Sequence, residues 1–192
     1  YVILPIPLEA TVSFLPNTSF FPQSMLDISD QLEEYDHEVG LDFENDVKIY
    51  TSYPVEPHSN HDVKHFLDYL MDQVQTHYSH PFVIGVGGEH TITYGLVKAK
   101  LPKKGTVVVV DAHGDLYDSY QDNPFSHACV MKRLFDEGYR IISIGIRALS
   151  KQEQSLAHKH ESIEIYLAGN LQDSSAFLSL LQRLSHLSGP VY

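Results

Sequence analysis

Asp111, His113 and Asp115 occupy every second position of VVVVDAHGD (residues 107–115), directly behind four valines. Consecutive β-branched residues read as a buried strand. Side chains two apart in extended backbone point to one side. Two carboxylates and an imidazole are therefore expected to converge just past the carboxyl end of a strand, where open α/β sheets bind ligands. Carboxylates gathered away from water repel one another and call for a cation. A mixed Asp/His donor set suits Mn²⁺, Zn²⁺ or Fe²⁺ better than copper or an iron–sulfur cluster. The plainer alternative is a strand-end turn with ordinary aspartate caps.

Two further segments carry chemistry. FVIGVGGEH (82–90) reads as a strand entering a Gly87-Gly88 turn that delivers Glu89 and His90 at its end. Glycine permits the sharp bend and close backbone approach. A dinucleotide fingerprint, G-x-G-x-x-G, would need glycine at position 90, where histidine stands. If this strand neighbours 107–110, His90 reaches the Asp/His/Asp set. In FSHACVM (125–131), Ser126 or a neighbour is expected to cap a helix. His127 then sits in the first turn as a candidate acid or proton shuttle, because imidazole titrates near neutral pH. The remaining histidines get the bland reading. His58, His61 and His65 have the spacing of an adventitious metal site but are read as surface, as are His158 and His160. Cys129 is a poor nucleophile candidate, since on a helix it does not face His127. As the single cysteine it excludes an internal disulfide and fits a reducing compartment.

The elements that must position these residues alternate. Strands are predicted at Tyr1–Pro7, Val47–Tyr53, Phe82–Val86, Thr106–Val110, Arg140–Ile146 and Ile163–Leu167. Helices are predicted at Asp62–His77, Thr91–Lys100, Ser126–Glu137, Ser150–His160 and Ser174–Leu187. Asp62–His77 places Val63, Phe66, Leu67, Leu70 and Val74 on one stripe. The strand runs are continuously apolar, as in strands covered on both faces. The pattern implies an α/β fold with a mainly parallel sheet, and residues 1–192 read as a single domain. Both ends look cut: Tyr1 starts inside a strand, and GPVY (189–192) reads as a turn with a strand just beginning.

The 192 residues carry 25 acidic and 13 basic side chains, a formal charge of −12. Lys48 is the first basic residue, and ten acidic residues precede it. This balance argues against nucleic acid, which calls for a basic face. No apolar run reaches the ~20 residues of a membrane span.

GGEH (87–90), DAHGD (111–115) and SHACVMKR (126–133) together resemble the ureohydrolase family of arginases and agmatinases, the agmatinases most closely. PLEATVSF (7–14), LEEYD (32–36) and SIGIRALSKQE (143–153) extend the likeness along the chain in motif order. The resemblance implies a three-layer α/β/α fold with a mainly parallel sheet. It also implies two Mn²⁺ ions whose bridging hydroxide attacks a guanidinium carbon to give urea and an amine. By matching motifs, His90, Asp111 and Asp115 are expected to ligate one Mn²⁺. Asp111 is expected to bridge to the second ion, and His113 to bind it. Asp115 would also accept a hydrogen bond from the hydroxide, and His127 matches the family's proton-shuttling histidine.

Some features depart from the family. Its last metal motif, S-x-D-x-D-x-x-D-P, and a later substrate-binding glutamate do not occur in these residues, which leaves four ligands for two metals. FLPNTSFFP (14–22) stands where the family often has F-R-P-G-T-R-F-G-P. Gly114 and Tyr117 also differ from common residues.

Residues 116–126 contain no Lys or Arg to hold an α-carboxylate but contain Asp118 and Asp122. That favours agmatine, a small cationic guanidine lacking the carboxylate, and hence putrescine formation in polyamine biosynthesis. Arginase, guanidinobutyrase or another amidinohydrolase is the alternative, and a catalytically degenerate oligomeric scaffold is the non-enzyme alternative. A binuclear metallophosphatase would need a Gly-Asn-His, and Gly169-Asn170 is followed by Leu171. By resemblance the protein is expected to be cytoplasmic and a homo-oligomer, trimeric or hexameric.

Overall fold

The computed structural model describes residues 1–57, 62–79 and 82–192. His58 and His61 lie outside the described residues. The chain divides into two compact units, Tyr1–Ala99 and Lys100–Tyr192.

In the first unit the elements run β1 (Val2–Ile6), a 3₁₀ turn (Thr18–Phe20), α1 (Phe21–Ser29), β2 (Tyr35–Asp36), β3 (Leu41–Asp42), α2 (Phe43–Asp46), β4 (Tyr50–Thr51), α3 (Val63–His77), β5 (Val83–Gly87) and α4 (Ile92–Lys100). β1 is central and pairs parallel with β4 and β5, Leu4 opposite Gly85 and Ile6 opposite Gly87. Leu4 and Ile6 are fully buried. Each such side chain removed from water is worth roughly 1.5–3 kcal/mol. The stripe on α3 buries Phe66, Leu67, Leu70 and Val74. Asp62 caps this helix by accepting from the His65 amide at 2.9 Å. Gly95 lets α4 close on α3, since a Cβ there would sit 3.0 Å from the Leu67 carbonyl. The predicted strand Val47–Tyr53 shortens to Tyr50–Thr51. Val47 is extended but acts as the residue closing α2, so it does not join the ladder.

In the second unit the elements are β6 (Thr106–Val110), a 3₁₀ turn (His127–Cys129), α5 (Val130–Asp136), β7 (Arg140–Ile146), α6 (Lys151–Lys159), β8 (Ile163–Leu167), a 3₁₀ turn (Asn170–Gln172) and α7 (Ser174–Ser185). β6, β7 and β8 form a parallel sheet in that order. Residues 190–192 run beside β6, with Thr106 donating to the Pro190 carbonyl and Val108 to that of Tyr192. Ile141, Ile142 and Ile146 on β7 are buried with Met131 and Leu134 of α5. No described helix is long and apolar enough to cross a membrane.

A fork ties β8 to α7. Arg183 donates through Nε and Nη2 to the two oxygens of Glu164 at 2.9 and 2.6 Å, and the Arg140 guanidinium lies 3.5 Å away. Burial alone would raise the Glu164 carboxyl, but the Arg183 hydrogen bonds and charge outweigh it and hold it below the usual carboxylate range. A depressed folded pKa gives stability that is complete above the unfolded value of about 4.3 and is lost as pH falls through the folded value. Glu164→Gln is therefore expected to lower stability by about 1 kcal/mol at pH 7. Urea unfolding from pH 7 to pH 3 should show that gap closing only in the acid range; a gap constant to pH 3 contradicts the fork.

Candidate metal centre

The chain does not turn away when β6 ends. Asp111 donates its amide to the Ile144 carbonyl at 3.0 Å, and the Ala112 carbonyl accepts from Arg147 and Ala148 at 2.9 Å each. His113 forms a bridge with Ala148. The end of β7 thus carries Asp111 to His113 in register. One Asp111 oxygen accepts from the His113 amide at 2.8 Å and lies 3.3 Å from His113 Nδ1.

Extended backbone ends there. Asp115 has φ +50°, in the left-handed region. Its carbonyl accepts from the Met131 and Lys132 amides at 3.1 and 3.2 Å, two donors of the first turn of α5 that the helix itself leaves unpaired. The carboxylate of Asp115 is buried, and one of its oxygens lies within 4.8 Å of an Asp111 oxygen. The expectation of strand periodicity through residue 115 is therefore corrected. The two carboxylates come together across a left-handed residue rather than along continuous extended backbone, and the His113 side chain is 66% exposed.

A divalent ion binding oxygens at about 2.0–2.6 Å can span two donors at this separation. The pair, with the nearby imidazole, therefore fits Mn²⁺, Zn²⁺ or Fe²⁺. The residues present suit a metal better than a bare pair of like charges.

His127 lies half-buried in the 3₁₀ turn, its ring edge-on to Tyr120 at 5.8 Å between centroids. Tyr120 and Asn123 exchange backbone hydrogen bonds at 3.1 and 3.0 Å around Gln121 and Asp122, both at positive φ. This is the geometry of a primed turn. Ser126 precedes the turn but makes no side-chain cap; its carbonyl takes the Cys129 amide instead. The cap expected there is supplied by the Asp115 carbonyl. Asp118, expected to contribute to an acidic mouth, pairs with Lys132 at 2.9 Å and Arg133 at 3.6 Å. The Lys132 hydrogen bond holds its carboxyl below the ordinary range. Its charge is answered locally, so the acidic character of this loop rests on Asp122.

His90 belongs to the first unit, half-buried just before α4. Gly88 allows the approach that forms this turn: a Cβ there would strike the Leu8 carbonyl and lie 3.0 Å from that of Thr18. Glu89 is buried and accepts from the Ala10 amide, the Thr11 amide at 2.8 Å and the Thr11 hydroxyl. Glu9 accepts from the Asn17 and Ser19 amides at 2.8 and 2.9 Å. Asn17 has φ +83°, which asparagine tolerates, so the altered 14–22 loop keeps a left-handed turn without glycine. The sequence placed Glu89 at the strand end beside His90 without assigning it a role, and assigned Glu9 none; their amide partners come from loop residues that spacing does not reveal.

The arginase family model matches residues 1–192. The chain belongs to the arginase family. It is 34% identical over 188 residues to the N(1)-aminopropylagmatine ureohydrolase of Synechocystis sp., covering 93% of this chain and 60% of that protein. It is 33% identical over 197 residues to the agmatinase of Pyrococcus horikoshii, covering 100% and 65%. The crystal structure of the agmatine ureohydrolase of Thermoplasma volcanium superposes with a TM-score of 0.84 at 29% identity, covering 100% of this chain and 64% of that one. The chain thus spans less than two thirds of the length of these relatives. Its fold is the arginase-like α/β fold with mainly parallel sheets.

Cys129 sits in this arginase-family chain as a packing residue. It is fully buried, its Sγ lies 3.7 Å from the Asn123 carbonyl, and burial pushes its thiol up. The thiolate is the reactive form. Native protein is therefore expected to resist iodoacetamide, and urea-unfolded protein to take up one label, read by intact mass. Rapid labelling of the native fold contradicts this.

Proposed function

We propose that the protein is a binuclear metal-dependent ureohydrolase that hydrolyses agmatine to putrescine and urea, with Mn²⁺ as its metal. The reading rests foremost on the Asp111–Asp115 carboxylate pair at the end of β6, in a chain of the arginase family. In this reading His90, Asp111 and Asp115 hold one ion, and Asp111 and His113 hold the other. Bound there, the two ions would supply a hydroxide nucleophile at neutral pH. Asp115 would offer its second carboxylate oxygen to accept a hydrogen bond from the attacking oxygen and orient it. His127, its ring edge-on to Tyr120, would carry a proton to the departing amine. Guanidinium is a poor electrophile, so protonation of the leaving nitrogen and orientation of the nucleophile are both needed.

The substrate reading follows from charge. Arginine carries an α-carboxylate that must be paired. Residues 116–126 contain no Lys or Arg, and Asp122 stands in a turn there. A guanidine with a second cationic end suits this loop. The name of the 34% identical relative favours a second substrate of the same type, N(1)-aminopropylagmatine. The protein is further read as a cytoplasmic homo-oligomer, trimeric or hexameric.

The test uses full-length Mn²⁺-loaded protein and measures urea release. Agmatine is expected to exceed arginine in kcat/KM by at least about 100-fold, since an unpaired buried carboxylate discriminates strongly. Comparable values for arginine overturn the agmatine reading, and a large preference for N(1)-aminopropylagmatine replaces it with the second.

A further inference from the structure

Among His90, Asp111, His113, Asp115 and His127, Asp115 alone has a positive φ. Aspartate tolerates that conformation better than most residues, but it persists only where its surroundings hold it. On one side the Asp115 carbonyl is held by the amides of Met131 and Lys132. On the other side the next amide, that of Leu116, donates to Glu153 Oε1 at 3.1 Å.

Glu153 is 37 residues away in sequence and only 3% exposed. Its second oxygen accepts from the Ser150 amide at 2.7 Å, while its own amide donates to Ser150 Oγ at 3.2 Å. That reciprocal pair is the capping box of α6. The box needs only Oε2. Oε1 is left to reach the turn that follows Asp115, and the box fixes the side chain that carries it. Position 114 shows how tightly this is built: a Cβ on Gly114 would lie 2.9 Å from Glu153 Oε1 and 2.6 Å from Leu149 Cδ1. Glycine at this position leaves room for the carboxylate.

We propose that Glu153 is a positioning residue for the metal site. By holding the Leu116 amide it fixes the left-handed backbone of Asp115, and so keeps the Asp115 carboxylate facing that of Asp111. Glu153 does not itself touch metal or substrate. The proposal rests on the metal reading given above and adds a residue to it. Partners that orient ligands from behind typically govern metal affinity by about 10- to 100-fold.

The experiment titrates Mn²⁺ alone into the full-length protein by calorimetry and follows thermal unfolding of the metal-free protein in parallel. Three variants separate positioning from helix capping. Ser150→Ala removes a capping oxygen without touching Leu116. It is expected to lower the metal-free Tm and leave Mn²⁺ affinity within about twofold. Glu153→Ala is expected to lower Tm as well and to weaken Mn²⁺ binding about 10- to 100-fold. Glu153→Gln keeps the size and one acceptor, and should fall between Glu153→Ala and the unmutated protein. If Glu153→Ala does not fold, the glutamine variant carries the same comparison with Ser150→Ala. Equal Mn²⁺ affinity in the Glu153 variants and the unmutated protein, or equal losses in the Glu153 and Ser150 variants, overturns the positioning role and leaves a helix cap. Failure of the unmutated protein to bind Mn²⁺ instead overturns the metal reading, and the proposal with it.

Discussion

Two carboxylates whose oxygens lie within 4.8 Å repel each other strongly when one is buried. In a medium poorer than water, only a cation, a shared proton or donated hydrogen bonds can offset that repulsion. Much of the second unit serves to impose this arrangement. β6 pairs with β7 in a parallel sheet, where Val107 is buried but Val110 is 80% exposed, and the end of β7 grips Ala112 through two amides. The first turn of α5 grips the carbonyl of Asp115. A conformation costing energy locally is thus held from several elements at once, as expected where geometry serves chemistry rather than stability.

The acidic side chains of this protein divide by what they accept. Glu89, Glu9 and Glu153 take hydrogen bonds from backbone amides of loops or helix starts. Asp42, Asp62 and Asp173 cap helices. Glu164 and Asp118 are answered by arginine and lysine. Asp111 also accepts a backbone amide, that of His113, but it and Asp115 differ from the rest in having carboxylate oxygens within 4.8 Å of each other. The formal charge of −12 is therefore mostly scaffold and solvated surface, and the chemistry resides in a small part of it.

The strands and helices of the second unit were legible because they are dominated by local signals. Continuous Val and Ile runs marked β6, β7 and β8, and the helix expected at Ser150–His160 stands as α6. The stripe on α3 was legible for the same reason. Residues 8–46 were not: α1, the β2–β3 pair and α2 are short, and backbone–carboxylate hydrogen bonds organise them more than apolar periodicity. In the candidate site, the ligand types and their place at a strand end could be read from VVVVDAHGD. The left-handed turn at Asp115 could not, because its cause lies in amides of α5 and in Glu153, far away in sequence. The same limit explains Asp118, whose pairing with Lys132 and Arg133 spacing alone does not show.

The central claim is that the carboxylate pair exists to hold divalent metal. The most direct measurement is the Mn²⁺ content per subunit of full-length protein beside that of Asp111→Asn, by metal analysis after equilibration and gel filtration. The account predicts two Mn²⁺ per subunit for the unmutated protein and loss of the binuclear state in the variant, because Asp111 is the proposed bridge. An unchanged stoichiometry in Asp111→Asn, with native Tm retained, would contradict it.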